Sequence, residues 1–75
     1  MYRDKSFDAR LGAELKARRE AAGVQMAAVA RAMGVDKSTV ACYESGRNAM
    51  SASALIRYCE LVGIDAAELV KLVRG

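Results

Sequence analysis

Residues 26–45 read MAAVARAMGVDKSTVACYES, and the fold turns on this stretch. Its first part, Met26–Met33, is short and rich in alanine, with Val29, Ala30 and Met33 forming one inner face. The alanines at 27, 28, 30 and 32 keep the helix thin, so a neighbouring helix can come close. Gly34-Val35-Asp36 then breaks the helical period. Glycine closes a helix by entering the left-handed region. Aspartate opens the next one by placing a carboxylate near unpaired backbone N–H groups. A second helix is expected over Lys37–Ser45 and ends at Gly46. Val40 and Tyr43 face inward there, and Lys37, Ser38, Ala41 and Cys42 face outward.

Working outward in both directions, glycine does the punctuation and proline is absent. A helix over 7–22 is expected, capped by Ser6, with Phe7, Leu11 and Leu15 at i, i+4, i+8 on one face. Arg10, Glu14, Arg18 and Glu20 take its other faces, and Gly23 ends it. A helix from 51 or 52 to 62 starts at Ser51, its Leu55, Tyr58, Cys59 and Val62 sharing a face at i, i+3, i+4, i+7. Gly63 ends this one. The last helix opens with Asp65-Ala66-Ala67-Glu68, a capping box with aspartate in place of serine or threonine. It continues through Leu69, Val70, Leu72 and Val73. β-Branched residues are sparse and never alternate, so no strand is expected. The expected fold is all-α: a compact five-helix bundle with two-to-five-residue connections. Residues 1–75 form one domain, with 1–6 as a flexible arm carrying Tyr2.

Composition narrows the function. A chain of 75 residues holds one modest core, burying about 60% of the surface that its unfolded form exposes. No apolar run approaches the roughly 20 residues that span a bilayer. The charged start, Met1–Arg10, lacks the apolar region of a signal peptide, so the cytoplasm is the expected compartment. The chain has no histidine and two cysteines, Cys42 and Cys59, 17 positions apart. Two cysteines cannot close a tetrahedral metal site, and neutral-pH proton shuttling usually needs histidine. No nucleophile-and-base set, phosphate-cradling glycine loop or paired carboxylates occurs. Neither enzyme activity nor a metal, cofactor or small-molecule ligand is expected. Cys59 reads as a small core hydrophobe and Cys42 as an inert side chain, a reactive thiol needing a lowered pKa. The formal net charge is +3. Residues 1–24 hold six basic and four acidic groups, 25–50 three and two, and 51–75 three of each. A phosphate-binding surface would draw on the first two thirds.

Two short helices about a glycine-containing turn form a helix-turn-helix, whose second helix enters the major groove in DNA readers. By itself the pattern fits a structural helical hairpin equally well. The wider sequence resembles the Cro/C1-type helix-turn-helix family of phage repressors and bacterial regulators, whose domain is lambda-repressor-like. The resemblance runs without a gap from Leu11 to about Val70. Leu11-Gly12, Arg19, Gly23, Val29-Ala30, Gly34-Val35, Ser38-Thr39-Val40, Tyr43-Glu44-Ser45-Gly46-Arg47, Leu55, Gly63-Ile64 and Glu68-Leu69 carry it.

The resemblance implies roles at the matched positions. Ala30 would sit where the second and third helices cross, and Val40 would anchor the reading helix. Arg19 and Glu44 would form a partly buried ion pair locking that helix to the scaffold. Lys37, Ser38, Ala41 and Cys42 would face base edges: lysine donating to guanine, serine donating or accepting, alanine touching a thymine methyl. A lysine in the first turn opposes the helix dipole, which favours a role in contact over an idle surface charge. Gln25, Thr39, Arg47 and Asn48 would meet backbone phosphates, which position without specifying. Two positions depart from the family pattern. Met26 stands where a glutamine usually opens the second helix, with Gln25 one place earlier, and reads as packing. Ala41 and Cys42 stand where longer polar side chains are usual, so shape and water are expected to supplement base contacts.

The implied partner is double-stranded DNA, bound by a homodimer on half-sites about one helical turn apart. Leu69, Leu72 and Val73 are candidates for the dimer surface, because they cannot all face inward. The function implied is sequence-specific transcriptional regulation. A protein-interaction module, such as an antitoxin with secondary DNA binding, is the alternative.

Overall fold

The computed structural model describes residues 5–74. Five α-helices follow one another: α1 Lys5–Ala21, α2 Met26–Met33, α3 Lys37–Ser45, α4 Ala52–Val62 and α5 Ala66–Arg74. No strand occurs among the described residues. Residues 1–4 of the expected arm, with Tyr2, lie outside them. Residues 5 and 6 are not arm but the first turn of α1. Ser6 is therefore not the cap. Nothing in Lys5-Ser6 opposes helix, and the Ser6 hydroxyl accepts a hydrogen bond from Arg10 one turn on, at 3.3 Å.

The core takes side chains from every helix: Leu11 and Leu15 of α1, Val29 and Ala30 of α2, Val40 of α3, Tyr58 and Cys59 of α4, and Leu69 of α5. Phe7, Met26, Met33, Val35, Met50, Leu55 and Val73 pack half-buried around them. Tyr43, expected inward, is also only half-buried. Helix α1 is the spine, lying against α3, α4 and α5, while α2 packs on α3 and α4. At the α1–α3 crossing the two backbones nearly touch. A Cβ on Gly12 would collide with the carbonyl oxygens of Tyr43 and Glu44, so only glycine lets α3 seat there.

The turn between α2 and α3 is closed by backbone geometry. Gly34 is left-handed, at φ 70° and ψ 32°. Its N–H donates to the Arg31 carbonyl at 3.2 Å, and Val35 N–H reaches back to Ala30 at 3.0 Å. This pair of bonds is the Schellman pattern, with Val35 as its apolar follower. Asp36 occupies the α3 N-cap in extended conformation, but its side chain makes no capping hydrogen bond. The carboxylate stays in water, where its charge alone favours the helix N-terminus. The Ser51 cap forms as read, its Oγ accepting from Ala54 N–H at 3.1 Å; at Asp65 only the aspartate half of the capping box forms, Oδ1 accepting from Ala67 and Glu68 N–H at 3.0 and 3.2 Å.

Helix α5 corrects one expectation. Leu69, a candidate for the dimer surface, is 1% exposed and belongs to the core. Packing of α5 on the α1 spine turns Leu69 inward, and Val73, one turn on, joins it half-buried. Leu72 alone of the three points outward, at 59% exposure.

Candidate nucleic-acid interface

Helix α3 divides cleanly along its length. Val40 and Glu44 are buried, whereas Lys37, Ser38, Ala41 and Ser45 are exposed. The exposed four make one face, Ser38, Ala41 and Ser45 falling at i, i+3, i+7. Thr39 and Cys42 flank it half-buried. Cys42 is thus less available than an outward position implies. Ser45 was missed by sequence reading, although its spacing from Ser38 and Ala41 already placed it on the same face.

A buried polar network holds this helix in place. Arg19 Nε and Nη2 donate to the two carboxylate oxygens of Glu44 at 2.7 and 3.1 Å, a bidentate pair joining α1 to α3. The side chains are 8% and 3% exposed. Arg19 Nη1 donates to the Val24 carbonyl at 3.0 Å, so the guanidinium also fixes the entry to α2. The hydrogen bond from Arg19 to Glu44, against some desolvation, raises the arginine pKa further above its usual range. A second donor reaches the same carboxylate: Tyr58 of α4 places its hydroxyl 2.5 Å from Glu44 Oε2 and 3.4 Å from the Leu15 carbonyl. Burial, then the adjacent carboxylate, raises the phenol pKa well above its ordinary value. Among the described residues no buried side-chain nitrogen or oxygen lacks a partner. Two donors on one carboxylate offset the cost of removing it from water. Glu44 thereby joins α1, α3 and α4 at one point.

The end of α3 is pinned as well. The Cys42 carbonyl accepts from Arg47 N–H at 2.9 Å, Asn48 N–H at 3.3 Å and the Ser45 hydroxyl at 3.2 Å. These bonds set the exposed Arg47 and Asn48 side by side just past the helix. Gln25 is exposed at the N-cap of α2, and its side chain makes no capping bond. Met26 is half-buried against the core, as packing requires. It shares a cavity of about 140 Å³ with Lys16, Ala41, Glu44 and Ser45, so the start of α2 lies beside the middle of α3. The exposed Lys16 adds a cation at that edge, which no local pattern in α1 announces. Among the described residues no three metal-binding side chains cluster, and no helix is long and apolar enough to cross a membrane.

A short helix, a tight left-handed turn, and a second helix braced behind and polar in front define a helix-turn-helix, a DNA-binding class of fold. A family model for a helix-turn-helix domain matches residues 10–72, and the chain belongs to that family. The match takes in α2, α3 and α4 whole and most of α1 and α5, in keeping with the resemblance to the Cro/C1-type regulators. No curated protein matches the chain.

Proposed function

We propose that the protein is a sequence-specific, double-stranded DNA-binding transcriptional regulator that reads the major groove with α3 as a homodimer. The observation carrying this reading is the exposed face of Lys37, Ser38, Ala41 and Ser45 on a helix clamped from behind by Arg19, Glu44 and Tyr58. A rigid mount makes direct readout efficient, since side chains held in place lose little further freedom on binding. Lys37 donates to guanine O6 or N7, Ser38 donates or accepts, and Ala41 meets a thymine methyl. Cys42 contributes only its partly exposed edge. Gln25, Thr39, Arg47 and Asn48 take the flanking phosphates and fix register, with Lys16 adding long-range attraction. Such a regulator, bacterial or phage-encoded, works in the cytoplasm.

The reading face is thin, with a methyl group at its centre, and this favours one second reading. In that reading an antitoxin-like module uses the same fold to hold a protein and touches DNA secondarily. Selection of the purified chain against a random duplex pool separates the two. A two-fold symmetric motif with half-sites about one helical turn apart is the result expected of a dimeric reader. Binding that depends on salt but enriches no sequence would overturn sequence reading and leave the protein-partner role.

A further inference from the structure

Helix α4 has two stripes. Leu55, Tyr58, Cys59 and Val62 face the core. On the outer side Ser53, Ile56, Arg57 and Glu60 repeat the same i, i+3, i+4, i+7 spacing. Ile56 is 52% exposed, and no helix covers it. Beside it lies an open groove of about 540 Å³, walled by Met33 and Val35 from the helix-turn-helix and by Tyr43 from α3. Arg57 and Glu60 stand on its edge, both exposed, with no partner for either among the described residues. They carry opposite charges, three residues apart, next to the exposed isoleucine.

We propose that this outer stripe of α4, with the groove beside it, is the surface on which a second copy of the chain docks. An interface about a two-fold axis must be complementary to itself. A patch bearing one cation, one anion and one apolar knob beside a groove walled by Met33, Val35 and Tyr43 meets that condition. When two α4 helices cross antiparallel, Ile56 of each copy covers the groove of the other. Arg57 of each then faces Glu60 of the other, so the same ion pair forms twice. Leu72 is more exposed and also has an opposite-charge pair near it, Glu68 and Lys71, but it does not line the groove. The groove-lining residues fall short of the roughly 20–30 a side of a standard interface. The dimer is therefore weak in solution and is strengthened when DNA holds two copies on adjacent half-sites.

The inference deepens the homodimeric part of the proposed function. Its test is sedimentation equilibrium of the full chain over a concentration series rising to about millimolar, the range where weak dimers populate. Ile56→Glu is expected to weaken self-association about tenfold or more, because it buries a charge against the groove of the second copy. Arg57→Glu and Glu60→Arg should each do the same by setting like charges face to face. The double swap R57E/E60R restores complementarity within each chain, and its association should return to within about threefold of the parent. All three substituted positions are exposed, and far-UV circular dichroism checks that each variant folds. A chain that stays monomeric throughout the series, or a dimer indifferent to Ile56→Glu, would overturn the assignment. So would a double swap no better than the singles. Selection of a two-fold motif by a chain whose α4 variants associate normally would reject this surface and keep the DNA reader. An intact α4 dimer that enriches no DNA sequence would do the reverse.

Discussion

Replacing Tyr58 with phenylalanine removes one oxygen from the centre of the molecule and keeps the ring. The lost hydroxyl donates to Glu44 Oε2, the oxygen that also accepts from Arg19 Nε at 2.7 Å. A hydrogen bond to a charged group contributes about 1.5–3 kcal/mol. A domain of 75 residues has roughly 4–11 kcal/mol in all, at 0.05–0.15 kcal/mol per residue. A loss of about 2 kcal/mol should lower Tm by roughly 8–16 °C, at 4–8 °C per kcal/mol for a domain this small. Arg19→Met should cost more, about 3–5 kcal/mol, because it strands a buried carboxylate. Because both donors serve one oxygen, the double variant should not lose the sum of the two single losses. Urea denaturation followed by circular dichroism gives all three values, with an unchanged m-value showing that the same surface is exposed on unfolding. Tyr58→Phe within about 0.5 kcal/mol of the parent, or strict additivity with Arg19→Met, would refute the shared-carboxylate account.

Alkaline pH should loosen the same core. The phenol of Tyr58 has its pKa raised from 10.0, and burial raises the Cys59 thiol from 9.0. In both cases the folded state favours the protonated form. Their contribution is whole below the unfolded pKa values and drains as pH climbs through the folded ones. Denaturation midpoints should therefore fall above about pH 9, and Tyr58→Phe should remove the later part of the decline. Gly12→Ala should destabilise despite gaining up to ~1 kcal/mol of helix propensity, because the new methyl meets α3 backbone rather than a yielding side chain; a raised urea midpoint would contradict the close crossing. Lys37→Ala should act with opposite signs: a loss of about 1–3 kcal/mol in binding a selected DNA site, and a gain of a few tenths in fold stability as the dipole conflict is relieved. Equal losses on selected and random duplexes would remove Lys37 from base contact. Arg47→Ala should weaken all duplexes alike and reduce the salt slope by about 1, and an unchanged slope would take Arg47 off the phosphates.

The sequence displays the helices well because their ends are local chemistry. The left-handed Gly34 and Gly46, the bonded caps at Ser51 and Asp65, and the apolar spacing of Leu55, Tyr58, Cys59 and Val62 all lie within a few residues of what they determine. Asp36 shows the limit of that logic. The residue sits at the right place, yet water competes successfully for an exposed carboxylate. Leu69 shows another limit, since an amphipathic pattern does not say how far a final helix rolls against its spine. The bracing of α3 was half legible. Arg19 and Glu44 are 25 residues apart and were paired through the family resemblance, whereas Tyr58 is 14 residues beyond Glu44 with no motif joining them. Its buried position on α4 was a usable signal, because a buried tyrosine hydroxyl usually has a partner.

If α3 reads DNA as proposed, the split along it separates an address from the machinery that delivers it. Val40 and Glu44 serve the scaffold, and Lys37, Ser38, Ala41 and Ser45 have no share in the buried core. Those four letters can be rewritten without disturbing the mount, so one chassis can carry many addresses. On that reading, drift at the outer positions changes where such a protein goes, while drift at Val40, Glu44 or Gly12 decides whether it arrives anywhere.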